Sequence, residues 1–322
     1  MTATGTGTSD TDTSTVDIGA DWTTIPGGSF WMGTPNGSCP ADYAGPGGAA
    51  CASELGRDTD EKLHYVTLTY AFEMMRTEVT QAQFHALLGY NPSKFGPSGE
   101  YGHCGDDCPV EQVNWHEALA YANALSAKEG LDACFTCTGA LTTVTCSLKG
   151  SYSKPQDCAG YRLPTESEWE FAARAGTLTA FDNGGITTVG STPLDSNLDE
   201  IAWYGGNSAS ATSTYKCSSW YPGATTCGTQ AVAGKTANAW GLYDMRGEVW
   251  EWIWDWYQAV YPDGTTATPL SDPVGGASSE WRLVRGGSWM SDAKYARAGK
   301  RDKRYPDWRG ANYGFRLVRS LP

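Results

Sequence analysis

Histidine is nearly missing from this chain: four occur in 322 residues, His64, His85, His103 and His116. None belongs to a spaced pair such as H-E-x-x-H, so the common helical zinc-hydrolase signature is excluded. No G-x-S-x-G occurs, and with it goes the nucleophile-elbow signature. No run approaches the roughly 18 apolar residues that a membrane-spanning helix needs. Charge is sparse, at 18% of residues, and leans acidic, with 36 Asp+Glu against 23 Lys+Arg for a net −13. That balance argues against non-specific nucleic-acid binding. The N-terminus has neither a basic region nor an apolar one, so no signal peptide is visible. Cysteine stops at Cys227.

Before that point cysteine is plentiful. Ten fall at even count into the close pairs Cys39/Cys51, Cys104/Cys108 and Cys217/Cys227, and the cluster Cys134, Cys137, Cys146 and Cys158. Cys134 and Cys137 make a C-x-x-C, but Cys146 and Cys158 supply no second close pair and no histidine lies nearby. Zinc therefore fits less well than disulfides closing short loops, which imply an oxidising compartment. The connectivity within the cluster of four stays open. An extracellular, periplasmic or surface-anchored protein whose leader is not in this chain reconciles the disulfides with the missing signal.

Residues 1–20, Thr-, Ser-, Gly- and Asp-rich, read as a disordered tether, and 21–322 as one domain. Residues 22–33 predict strand, Pro-Gly-Gly turn, strand, and His64 to Met75 carries a further strand pattern. Thr80 caps a helix with Phe84, Leu87 and Leu88 on one face, stopped by Gly89. Asn114 caps another in which Ala118, Tyr121, Ala122 and Leu125 recur at helical spacing. Thr165 to Glu168 is a capping box that opens a short helix ending at Gly176. That placement favours structural roles for Glu166, Glu168 and Glu170 over acid–base chemistry. Residues 177–235 give few regular signals. The run 250–256 holds four tryptophans, too many for one helix face, and predicts burial on several sides.

The closing stretch, Arg282 to Arg319, begins and ends in short apolar strands around a long polar loop, the arrangement in which recognition sites are commonly held. It carries 11 Lys+Arg against 3 Asp+Glu, while the remainder of the chain sums to −21.

The segments IPGGSFWMG, TEVTQAQF, PVEQVNWHEALAYANAL, GYRLPTESEWEFAARAGT, NAWGLYDMRGEVWEW, RGGSW and GFRLVRS occur in this order. Together they resemble the formylglycine-generating enzyme family, also called sulfatase-modifying factors, from about Asp21 to Ser320. The resemblance implies an α+β, C-type-lectin-like fold with two helices, small sheets and long ordered loops. Such enzymes oxidise a cysteine in a sulfatase C-x-P-x-R motif with molecular oxygen, holding copper(I) between two cysteines shortly after G-G-S. At the matching positions this chain has Ser291 and Ala296. A serine hydroxyl binds copper(I) poorly and alanine offers no ligand, so no copper is expected. Ser288 matches the family's active-site serine and is expected to persist as part of a folding turn. The resemblance further implies structural calcium held by Asp244, Gly247, Val249 and Glu251, an oxygen-only set suited to a hard cation. The competing reading is that Glu251 pairs with an arginine. A second calcium site near Asn197 and Leu198 is obscured by the polar insert at 205–230.

The function expected from these readings is a non-catalytic binding module. Its site residues would be Ser288, Trp289, Ser291, Asp292, Lys294, Tyr295, Arg297, Arg301 and Trp308, taking an unknown protein or an anionic ligand. Lys300, Arg304 and Tyr305 belong to the same loop. Retroelement-diversified receptors use this fold and vary this loop. The alternatives are a family oxidoreductase, generating formylglycine or carrying out a diverged oxidation, and an assembly role at a cell surface. A monomer is expected.

Overall fold

A computed structural model describes residues 21–43, 51–217, 224–276 and 278–321. The tether at 1–20 lies outside the described residues, as do parts of the Cys39–Cys51 loop and of the polar insert. The predicted caps fall where the sequence places them. Helix α1 (Gln81–Leu88) has a reciprocal capping box between Thr80 and Gln83 and ends on left-handed Gly89. Helix α2 (Trp115–Lys128) is capped by Asn114 and Glu117. Helix α3 (Glu166–Arg174) is capped by Thr165 and Glu168. In each case the side-chain oxygen and the residue three on satisfy amides that the helix leaves unpaired. A fourth short helix, α4 (Ser196–Ile201), follows an Asp195 cap in the stretch that gave few signals. The two helices implied by the family resemblance thus become four among the described residues.

Among the described residues the strands form four small sheets. The turn at 26–27 does not close a hairpin. Strand β1 (Trp22–Ile25) pairs with β4 (Phe72–Met75), while β2 (Gly28–Met32) pairs with β3 (His64–Leu68), so the turn hands the chain from one sheet to another. A cysteine-rich hairpin, β5 (Phe135–Thr138) with β6 (Thr145–Leu148), lies against α2, and β8 (Leu270–Ser271) extends the β2–β3 sheet. The tryptophan run is strand β7 (Trp250–Trp256), placed between β9 (Arg282–Arg285) and β11 (Tyr313–Gly314), with β10 (Asp302–Arg304) beyond β9. Last, β12 (Val318–Ser320) returns to β4.

Alternation along β7 explains its composition. Trp250 and Trp252 face a core shared with Phe84, Tyr121, Phe315 and Leu317, while Ile253 faces a second core with Ile25, Val66, Trp169 and Leu283. A strand covered on both faces reads as a continuous apolar run, which hides its period of two.

The three glutamates of α3 are all buried and all paired with arginines. Glu168 takes Arg162 bidentately at 2.8 and 2.7 Å. Glu170 takes Arg174 at 2.7 Å and also Arg285, and Glu166 takes Arg301 at 2.7 Å. Their role is structural. All ten cysteines are paired, as Cys39–Cys51, Cys104–Cys108, Cys134–Cys158, Cys137–Cys146 and Cys217–Cys227, which settles the connectivity of the cluster. No helix among the described residues is long and apolar enough to cross a membrane.

Buried Glu111 has no ion pair among the described residues. Glu111 Oε1 accepts from the Phe95 amide at 2.8 Å, Oε2 has no partner, and burial pushes the carboxyl up to about 8. Because the folded state holds this proton more tightly than the unfolded chain, stability should fall as pH rises from about 4 through 8. Glu111→Gln keeps the acceptor and removes the titration. It should shrink the difference between urea-unfolding free energies at pH 5 and pH 8, by roughly 1.4 kcal/mol per pH unit in the steep part of the window.

Candidate functional site: a cleft in the closing loop

The loop between β9 and β12 opens with Gly286 and Gly287, both at positive φ (97° and 82°). A Cβ on Gly287 would meet Tyr295 O at 3.1 Å and Ala296 Cα at 3.2 Å, so glycine is what lets the loop fold back on itself. From there the side chains divide into two sets.

The inward set builds the fold. Trp289 is fully buried, edge-on to Phe95 and Tyr215 at 5.2 Å each, with its Nε1 donating to Ala311 O. Ala293, Ala296 and Ala298 are buried beside it in the chain. Arg297, 0% exposed, donates to Glu54 Oε1, to both oxygens of Glu61, to Gly56 O and to Lys294 O. Those five bonds use all five guanidinium hydrogens. Burial works against its charge, but the hydrogen bonds and charges of Glu61 and Glu54 outweigh that and raise its pKa. Arg301 is likewise buried, bidentate on Glu166 and donating to Asp60 O and Gln258 O. Lys300 pairs with Asp58, and Arg309 with Glu117. The expectation of a basic loop gripping an anion through Arg297 and Arg301 is therefore corrected: the cations balance acids from elsewhere in the chain.

The outward set forms a cleft of about 420 Å³ lined by Met290, Ser291, Asp292, Tyr295, Asp302 and Arg304, together with Asn312, Tyr313, Trp250 and Ser191. Beneath it, buried Ser288 shares a 2.9 Å hydrogen bond with Ser291 Oγ and accepts from Asn312 Nδ2 at 3.3 Å. Ser191 donates to Asp292 Oδ1 at 2.7 Å, and Arg304 donates to Asp302 at 3.0 Å. Arg304 also lies 5.2 Å from the Tyr313 ring centroid, and burial pushes the Tyr313 hydroxyl up to about 12. Tyr295 meets Trp250 edge-on at 6.3 Å.

Of the predicted binding residues, Ser291, Asp292 and Tyr295 line this cleft and Ser288 supports it. Lys294 is half-buried, its Nζ 4.9 Å from the Tyr295 ring centroid. Trp308 is 47% exposed, on the stretch between the two lining segments. Trp289, Arg297 and Arg301 are structural. Sequence reasoning missed Trp250, Asp302, Tyr313 and Ser191 as lining groups. Tyr313 stands beside the closing G-F-R and could have been found there. Ser191, in the stretch 177–235 that gives few regular signals, carries no signal.

Copper(I) does not fit this site. Ser291 offers a hydroxyl, Ala296 is buried with no donor, and every cysteine of the chain is in a disulfide. In the calcium set that the resemblance implies, Glu251 is ion-paired. Glu251 accepts from Arg316 Nη2 on Oε1, and from Arg316 Nε and Trp169 Nε1 on Oε2. Glu251 is thus paired with an arginine, while Asp244 keeps one oxygen without a partner among the described residues.

Fold and cleft together define a loop-rich α+β scaffold that presents a recess on its closing loop. The chain belongs to the formylglycine-generating-enzyme family, matching the sulfatase-modifying factor enzyme 1-like domain over residues 8–321. It is 33% identical over 257 residues to the chaperone protein LppX of Paenibacillus barcinonensis, spanning 77% of this chain and 80% of that one. It is 28% identical over 221 residues to a formylglycine-generating enzyme of Thermomonospora curvata, covering 65% of this chain and only 55% of the enzyme. Among solved structures it resembles variable protein 1 of Treponema denticola, with TM-score 0.67, 30% identity and coverage of 93% and 95%.

Proposed function

We propose that this protein is a non-catalytic binding module, working in an oxidising compartment outside the cytoplasm, that takes a protein ligand at the closing-loop cleft. The division of the loop carries the reading. Residues that hold the fold are buried between residues that line the cleft, so the recess can serve recognition without strain on the core. Met290 at 36%, Tyr305 at 52% and Trp308 at 47% exposed add apolar and aromatic surface of the kind that dominates protein–protein contacts. Two relatives support the choice by name, one a chaperone and the other a variable protein. By analogy with the latter, we propose that the outward positions are those that differ among close relatives while the inward ones persist. The donors present also favour binding over copper chemistry.

The test is a display screen of extracellular proteins and peptides against the full chain, followed by affinity measurement. Met290→Ala with Asp292→Ala should weaken a selected ligand at least about tenfold, the scale of one hot-spot contact. The melting temperature should stay within about 2 °C, because neither side chain is buried in the core. Undiminished affinity in that variant and in Tyr295→Ala would place recognition elsewhere.

A further inference from the structure

Strand β10 is a sheet edge at the rim of the cleft. β9 lies on one side of it and, among the described residues, no strand lies on the other. Its three residues are all half-buried. The main-chain groups of the middle one are taken up by the side chains that flank it. Asp302 Oδ1 accepts from the Lys303 amide at 2.7 Å, and Arg304 Nη1 donates to the Lys303 carbonyl at 2.6 Å. The same Arg304 nitrogen donates to Asp302 Oδ1 at 3.0 Å, which closes the clasp. An antiparallel neighbour satisfies a strand residue by exchanging both of these bonds, N–H and C=O, with one residue of its own. The clasp therefore fills, with side chains, the two positions that an added strand would fill with its main chain.

Side chains alternate across a strand, and the two faces of β10 open onto different recesses. Asp302 and Arg304 line the 420 Å³ cleft already described. Lys303 lines a second recess of about 470 Å³ with Arg57, Asp60, Tyr257 and Ala259, and Asp302 stands at the rim of both. Each recess holds unpaired charge. On the cleft side Asp292 accepts from Ser191 and has no ion pair among the described residues. On the other side Lys303 and Arg57 likewise have none. The Lys303 ammonium lies 3.8 Å from the Tyr257 ring centroid and 4.5 Å from that of Trp281, while Arg57 donates to the main-chain oxygens of Thr34 and Glu61. Asp60, which accepts from the Tyr257 hydroxyl at 2.9 Å, offsets only one of these two cations.

Resting on the reading that the cleft takes a protein ligand, we infer that the ligand enters as an extended segment that adds to β10, displaces the Asp302–Arg304 clasp and exchanges main-chain bonds with Lys303. Successive side chains of the segment fall alternately into the two recesses, a basic one toward Asp292 and an acidic one toward Lys303 and Arg57. The main chain supplies affinity, and the recesses select the sequence. Without a ligand the clasp covers the edge, so the chain does not present an open strand to other copies of itself.

The experiment selects linear peptides from a phage-displayed random library against the full chain and measures the affinity of the best binder as a synthetic peptide. Methylating its main-chain nitrogens one at a time should weaken binding at least about tenfold at alternate residues and little in between, a pattern that strand pairing imposes and side-chain docking does not. Lys303→Pro removes the edge amide, a change that edge strands tolerate, and should cost at least about tenfold. Lys303→Arg keeps both amide and charge and should cost less than about threefold. Asp302→Ala opens the clasp and should tighten binding about threefold, the scale of one hydrogen bond no longer competed for. Should the proline variant fail to fold, the methylation pattern decides. A peptide weakened by Met290→Ala with Asp292→Ala, yet indifferent to Lys303→Pro and to methylation, overturns strand addition and leaves the cleft as the site. Indifference to all of these variants, or no binder from peptide and folded-protein libraries alike, overturns both readings. Folded proteins that bind the cleft where no linear peptide does overturn the extended segment. A wild-type chain that dimerises in the ultracentrifuge and is returned to monomer by Lys303→Pro assigns the edge to a second copy and overturns the peptide partner.

Discussion

Arg297→Met is expected to destabilise this protein by about 3–5 kcal/mol, a large share of the stability of an ordinary domain. Its guanidinium is saturated by Glu54, Glu61, Gly56 O and Lys294 O, and Glu61 is itself fully buried. Removing the cation strands a carboxylate in the core, which costs more than the lost hydrogen bonds alone. Trp308→Ala, further along the same loop, should stay within about 0.5 kcal/mol because its ring is half in solvent. Urea unfolding of the two variants beside wild type checks both. Similar small losses in the pair would mean that Arg297 is free after all and that the loop's positive charge is available to a ligand.

The second large effect is an absence of activity. A C-x-P-x-R peptide incubated with the protein, copper(I), a thiol reductant and oxygen should yield no formylglycine by peptide mass spectrometry, while an active family member converts it. The oxidation needs a thiolate to take the metal and the substrate sulfur, and at the positions that the family resemblance matches to it this chain has Ser291 and Ala296. The ten cysteines elsewhere are paired in disulfides that close loops of the scaffold. Conversion at the control's rate would overturn the binding-module proposal and return the chain to the oxidoreductases of its family.

Local signals were readable where local physics decides. Thr80, Asn114 and Thr165 cap helices because each has its reciprocal partner three residues on, and Gly89 stops α1 because it alone tolerates the left-handed turn there. The two ends of the closing loop were legible as short strands. Its interior was not. Whether an arginine in an aperiodic loop faces solvent depends on where the opposite charge arrives, and for Arg297 that is Glu61, 236 residues away. Trp289 and Trp308 look alike in sequence, yet one fills a pocket made by Phe95 and Tyr215 and the other stands in water. Glu248 and Glu251 are three apart, but only Glu251 meets an arginine, because Arg316 arrives from the far end of the chain. The cleft itself joins Trp250 from β7 and Ser191 from the irregular stretch before α4 to the loop, a convergence that no single window contains.

The pairing of β4 sets a schedule for biosynthesis. That strand is flanked by β1 on one side and β12 on the other, so the sheet begun by residues 22–25 is finished only by residues 318–320. Phe315, Arg316 and Leu317, the residues leading into β12, also plug the core around α2 and Glu251. A ribosome that has released everything up to the closing loop has therefore produced a chain whose principal core is still open and whose buried acids lack their arginine. This domain completes its core only once residues 315–320 have left the ribosome, and until then it depends on whatever keeps exposed apolar surface from associating.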